Sequence, residues 1–124
     1  MNEADAMKPA LDVVTMRQRL GDDEDLVADV IRLFLDEYPR CLHALAAAIT
    51  ARDAQGVQDA AHTLKGSASS LAADGVVGAA RALEAAGRQG DFAVIERCFA
   101  DVRAEAERLA VALTTLQALQ PRRS

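Results

Sequence analysis

The chain has 124 residues with a net charge of −5; it is 51% hydrophobic, 27% charged and only 3% aromatic. That is enough for one domain and too apolar for a disordered chain. The acidic balance and the shortage of aromatics argue against nucleic-acid and anionic-membrane binding. A count of 27 Ala and 14 Leu, against three Pro and seven Gly, points to an all-α protein. The longest uninterrupted apolar run is the six residues 44–49, far short of the ~20 that span a bilayer. The first residues lack the basic flank and apolar stretch of a secretory signal. Cys41 and Cys98 form no CxxC unit and suit buried free thiols in a reducing cytoplasm, the expected location.

In chain order, residues 1–10 read as a flexible lead-in ending near Pro9. Residues 11–20 suit a short amphipathic helix stopped by Gly21. Asp22, Asp23, Glu24 and Asp25 then put acid at the positive start of a second helix. Val27, Val30, Ile31, Phe34 and Tyr38 share one face of that helix. Pro39 is expected to end it and to open a third, running to about Arg52. Asp53 is a good N-cap for a fourth helix over about 54–70. A break at 72–75 precedes a fifth over 76–87, with Val76, Ala80 and Leu83 inward and Gly87 and Gly90 closing it. Asp91 can cap the last helix. There Phe92, Ile95, Phe99, Val102, Ala106, Leu109, Leu113 and Leu116 alternate at spacings of three and four. Residues 120–124 read as a frayed tail.

No strand pattern appears, and the connections are short. The expected fold is an antiparallel up-and-down four-helix bundle over residues 11–119, with one or two short N-terminal accessory helices. By default such a bundle is a monomer.

On a wheel of the Asp53-capped helix, Val57, Ala60, Ala61, Leu64, Ala68 and Leu71 make the buried stripe. His62 falls on the opposite side, with Gln58, Lys65 and Ser69 along its stripe and Gly66 one turn beyond. A helical glycine costs about 1 kcal/mol relative to alanine, in a chain that uses alanine freely. The bare turn at Gly66 therefore suits the close approach of another molecule. A solvent-facing imidazole, a cation one turn away and a bare patch of helix suit a partner that brings a phosphoryl group.

The string Ala61-His62-Thr63-Leu64-Lys65-Gly66-Ser67 resembles the signature of the histidine-containing phosphotransfer (HPt) domain of bacterial phosphorelays. Phe34-Leu35 before Pro39, Leu42, Leu45, Asp53, Leu83-Glu84 and Gly90-Asp91 match as well, so the resemblance covers roughly residues 11–116. It implies that His62 accepts a phosphoryl group from the aspartyl phosphate of one receiver domain and passes it to the aspartate of another. Lys65 would offset the phosphoryl charge, and Gly66 would make room for the receiver's loops. Ser67 lies nearer the core edge on the wheel, away from the His62 stripe. Glu84, in a place where the family often carries Gln or Glu near the histidine, could accept a hydrogen bond from Nδ1 and leave Nε2 as the nucleophile. Arg81 and Arg88 would rim a docking surface that includes Gln58, Gly66, Ser69 and Glu84. Many members have glycine where this chain has Ala72, so its turn can differ in shape.

The implied partners are receiver domains of a hybrid sensor kinase or a response regulator. Mg²⁺ would come with the receiver's acidic pocket, since no oxygen cluster is apparent here. Lys65-Gly66-Ser67 has the wrong order for a nucleotide phosphate loop, so no ATP-dependent kinase activity is expected. Met1 and the low-information ends suit a free-standing protein rather than a domain cut from a hybrid kinase. Two alternatives stand beside this reading. One is a docking bundle that is never phosphorylated. The other is a metal-binding bundle, for which only Asp59-Ala60-Ala61-His62 approaches the required spacing.

Overall fold

The structure, a computed structural model, describes residues 9–119, and these are all-helical. The helices are α1 (Val13–Arg19), α2 (Glu24–Thr50), α3 (Ala54–Ser70), α4 (Asp74–Gln89) and α5 (Phe92–Leu119). The four long ones pack in a ring: α2 on α3, α3 on α4, α4 on α5, and α5 back on α2. Connections confined to 51–53, 71–73 and 90–91 leave no room for a crossover, so consecutive helices run antiparallel. This is the expected four-helix bundle, with α1 as its accessory helix. The parts of the expected lead-in and tail at 1–8 and 120–124 lie outside the described residues.

Aspartates set where most helices begin. Asp12 accepts from the Thr15 amide at 3.0 Å, Asp23 from Asp25 at 3.0 Å, Asp53 from Gly56 at 2.9 Å and Asp91 from Ala93 at 3.1 Å. The N-cap of α4 is Ala73, whose methyl group can make no capping hydrogen bond. Instead the Glu105 carboxylate of α5 lies over Gly75 in the first turn of α4, in the space a Cβ there would take unless the carboxylate swung aside. A negative group there faces the positive end of the helix.

Inside the ring, Val27, Ile31, Leu45, Val57, Leu83, Ile95, Leu109 and Leu113 are fully buried, and no polar residue among those described is buried. The α5 stripe is as its periodicity predicts. Cys41 and Cys98 are free but only half-buried, not buried as expected; partial burial still pushes the Cys41 thiol pKa up.

The structure corrects the sequence reading at three places. Pro39 does not separate two helices: α2 runs through it. The buried positions of α2 stay in phase across it, from Val27, Ile31 and Phe34 to Leu45, Ala48 and Ile49. An interior proline costs about 3 kcal/mol. Burying a large aliphatic side chain gains roughly 1.5–3 kcal/mol, so the residues beyond Pro39 offset it. Pro39 is exposed, where water can serve the carbonyl its missing N–H leaves unpaired.

Gly87 does not close α4. Gly90 does, with φ 73°. Gly87 is buried inside the helix, and Cγ of Gln58 and the carbonyl oxygen of Ala54, both on α3, stand 2.8 and 3.4 Å from where its Cβ would be. Glycine there lets α3 and α4 approach closely.

The break after α3 is tighter than expected, since α4 begins at Asp74. Ala72 takes the left-handed conformation (φ 54°) while buried. That conformation costs alanine about 1 kcal/mol. Its carbonyl receives the Asp12 amide at 3.2 Å, and Arg19 of α1 donates to the Ser69 carbonyl. With Met16 fully buried, α1 is pinned across this end of the bundle.

The two helical glycines of α4 that face different surroundings should respond oppositely. Gly87→Val overfills the α3–α4 contact and should destabilise the protein by about 1–3 kcal/mol. Gly78 has nothing within 4 Å of its Cβ position, so Gly78→Ala should stabilise by about 0.5–1 kcal/mol. Chemical denaturation of both variants checks this pair.

Candidate functional site

Asp53 fixes the start of α3 and hence its phase. Val57, Ala61, Leu64 and Ala68 are buried along it, and Leu71 just past its end. His62 then points outward, with 69% of its side chain exposed. On α4, burial of Val76, Ala80 and Leu83 turns the adjacent Glu84 toward α3.

The two helices meet at one carboxylate. Nδ1 of His62 lies 3.1 Å from Glu84 Oε2, and Nζ of Lys65 donates to Oε1 at 2.6 Å. Nη1 of Arg88 stands 4.0 Å from Oε2. Glu84 is far less exposed than the histidine, at 14% of its side chain. The Lys65 hydrogen bond, acting against partial burial and helped by His62, holds its pKa below the ordinary 4.5. A lowered carboxylate pKa means the clasp is complete above the ordinary value and is lost only as pH falls through the lowered one. An ionised carboxylate can only accept, so Nδ1 carries the proton and donates it. The lone pair of the neutral ring is therefore on Nε2, the nitrogen on the far side of the ring from Glu84.

The expected site residues are not all where the wheel suggests. Lys65 is on the His62 stripe, but its ammonium rests on Glu84 rather than beside Nε2. Gln58 is half-buried; its amide donates to the Ala54 carbonyl at 3.3 Å and its stem packs on Gly87, so it belongs to the α3–α4 contact rather than to an open docking face. Ser69 is exposed, with its carbonyl taken by Arg19. Arg81 is exposed one turn before Glu84. Gly66 is exposed, with nothing within 4 Å of its Cβ position: nothing among the described residues approaches it. The Ser67 hydroxyl donates to the Thr63 carbonyl at 3.2 Å, within α3.

Arg88, expected at the rim of a docking surface, instead stands beside Glu84, at the i,i+4 spacing that pairs charges on a helix. Asp59 accepts from Gln55 at 2.9 Å. Among the described residues no group of three or more His, Cys, Asp or Glu is placed to hold a metal ion.

A family model for the Hpt domain matches residues 29–118. No curated protein sequence matches the chain. Among solved structures, the crystal structure of histidine-containing phosphotransfer protein B from Pseudomonas aeruginosa PAO1 is similar. The TM-score is 0.84 at 23% identity, covering 91% of this chain and 98% of that one. That likeness carries the fold. The family match spans all of α3 and α4, including His62, Lys65 and Glu84, and nearly three-quarters of the sequence. The chain belongs to the Hpt domain family.

Proposed function

We propose that this protein carries phosphoryl groups between receiver domains on Nε2 of His62. The observation that carries the reading is the outward imidazole whose Nδ1 is held by Glu84 at 3.1 Å. Membership of the Hpt family supports histidine phosphotransfer in phosphorelays. In the first transfer the Nε2 lone pair forms the bond to phosphorus as the bond from phosphorus to the aspartate oxygen breaks. The aspartate leaves as carboxylate. The proton on Nδ1 stays, and the positive charge of the ring is shared with Glu84. In the second, an aspartate oxygen of another receiver attacks phosphorus and Nε2 leaves with its pair.

This chain's residues contribute position and charge. Glu84 fixes the tautomer and orientation of the ring. Lys65, one turn from His62, moves from Glu84 to the phosphoryl oxygens, and Arg88 stays with the carboxylate. Mg²⁺ is held by the receiver's acidic pocket. The phosphoryl group originates with a partner, in a hybrid sensor kinase or a response regulator, and the protein acts as a cytoplasmic monomer without a kinase reaction of its own. Among the described residues no helix is long and apolar enough to cross a membrane.

Incubation with a phosphorylated receiver should give an acid-labile, base-stable label on the wild-type protein and none on His62→Gln. Equal labelling of the two would refute the role of His62. Glu84→Ala should slow labelling by about 10–100-fold, the loss typical when the hydrogen-bond partner that orients a metal-ligating histidine is removed. Imidazole ¹⁵N chemical shifts separate orientation from folding: neutral His62 should be protonated at Nδ1 in the wild type and should lose that preference in Glu84→Ala.

Gly66 costs the isolated helix stability that nothing among the described residues recovers. Gly66→Ala should raise stability by about 0.5–1 kcal/mol. Gly66→Gln should fold normally and slow transfer from the receiver. Denaturation and transfer assays on the same preparations check whether stability and transfer move apart.

A further inference from the structure

The imidazole of His62 stands between a cation and an anion of its own helix. Around α3, Lys65 lies about 60° to one side of it and Asp59 about 60° to the other, each three residues away. The Lys65 side is the α4 side, since its ammonium reaches Glu84. Asp59 and Gly66 share the opposite side. Nδ1 is turned to Glu84, so Nε2 faces away from α4, toward the side that carries Asp59. The cations gathered at Glu84, Lys65 and Arg88, are on the other side of the ring. Asp59 is exposed and accepts from the neutral amide of Gln55, one turn farther from His62, at 2.9 Å. No ion pair among the described residues neutralises it.

Resting on the phosphotransfer reading above, we propose that Asp59 sets how readily His62 gives up its phosphoryl group, its carboxylate raising the free energy of the phosphorylated state and biasing the protein toward handing the group on. A phosphoryl group carries nearly two negative charges near neutral pH. Like charges one helical turn apart repel. On Nε2 the group lies on the Asp59 side, where no cation of the chain is paired with that carboxylate. Asp59 bonds to neither reacting atom. The Nε2–phosphorus bond still breaks as an aspartate oxygen of the receiver bonds to phosphorus, and Asp59 acts on it through space. Both groups are in contact with water, so hydration and screening hold the effect to a few-fold. A few-fold bias tunes the relay without being required for it.

The end point of phosphoryl exchange with a receiver isolates this effect from docking. Contacts made only in the complex change how fast the mixture settles; the final ratio of the two phosphorylated proteins depends on the free proteins alone. With a purified receiver domain that exchanges with the wild type, Asp59→Asn should shift that ratio toward phosphohistidine by about two- to fivefold, and Asp59→Lys by more. The shift should shrink between roughly 0.05 and 1 M salt. Asp101→Asn removes the same charge from an exposed position on α5, across the ring from α3, and should leave the ratio as in the wild type. Thermal unfolding verifies that all three variants are folded. Phosphoramidate, a small phosphodonor, gives a reading without any receiver. In ³¹P spectra of the labelled protein, the phosphoryl group of Asp59→Asn should lose its last proton at lower pH than that of the wild type, because the dianion is no longer opposed by the carboxylate. A wild-type ratio and titration in Asp59→Asn, or equal shifts in Asp101→Asn, overturn the proposal. So does a change in the rate of exchange with the end point unmoved, since Asp59 would then be a docking contact. If no receiver exchanges a phosphoryl group with the wild type and phosphoramidate leaves His62 unlabelled, the phosphotransfer reading fails and this inference with it.

Discussion

The close approach of α3 and α4 governs the site. Glu84 of α4 reaches both His62 and Lys65 of α3, and one turn away the same two helices pack closely at Gly87. There the glycine leaves room for the stem of Gln58 and the carbonyl of Ala54. A Cβ at 87 would push the Gln58 stem aside, and a larger side chain would press on the α3 backbone about one turn from the carboxylate. The setting of His62 is thus tied to packing at a buried position one helix away.

The clasp itself is weak evidence for stability and stronger evidence for orientation. Ion pairs near water contribute little to folding, because hydration competes for both partners. Glu84 holds one imidazole nitrogen and one ammonium, with a guanidinium at 4.0 Å, while its side chain stays mostly covered. A carboxylate with several donors around it can lose one without being left unpaired. That property is what a site needs if Lys65 is to turn to an incoming phosphoryl group while the ring keeps its tautomer. The imidazole is held at one nitrogen and open at the other, so its orientation and tautomer are set within the bundle itself.

Most of the fold was legible because local signals agreed. Aspartate caps at Asp53 and Asp91, the left-handed Gly90 and the three-four stripe of α5 each mark what the structure shows. Pro39 misled because a local breaker met a stripe that continues beyond it, and burial of Leu45 and Ile49 prevails. Gly87 misled because glycine at a helix end and glycine at a helix crossing look alike in one sequence; only tertiary contact tells them apart. His62 was legible from the wheel alone, since its exposure follows from the phase of its own helix. The fate of Gln58 was not, because its angle on α3 is close to that of Lys65 and only the position of α4 decides which is covered. Leu26 and Leu33 of α2, both exposed, were overlooked for a related reason. One apolar stripe accounts for the core, and they lie just outside it.

Those two leucines and Gly66 share a property that the core residues lack. A core leucine is justified by what it touches, and Gly75 and Gly87 by what would collide with a side chain there. Gly66 weakens its helix, and Leu33 leaves apolar surface in water, with no compensating contact that the bundle itself requires. On its own, the same bundle would be more stable with alanine at 66 and a polar residue at 33.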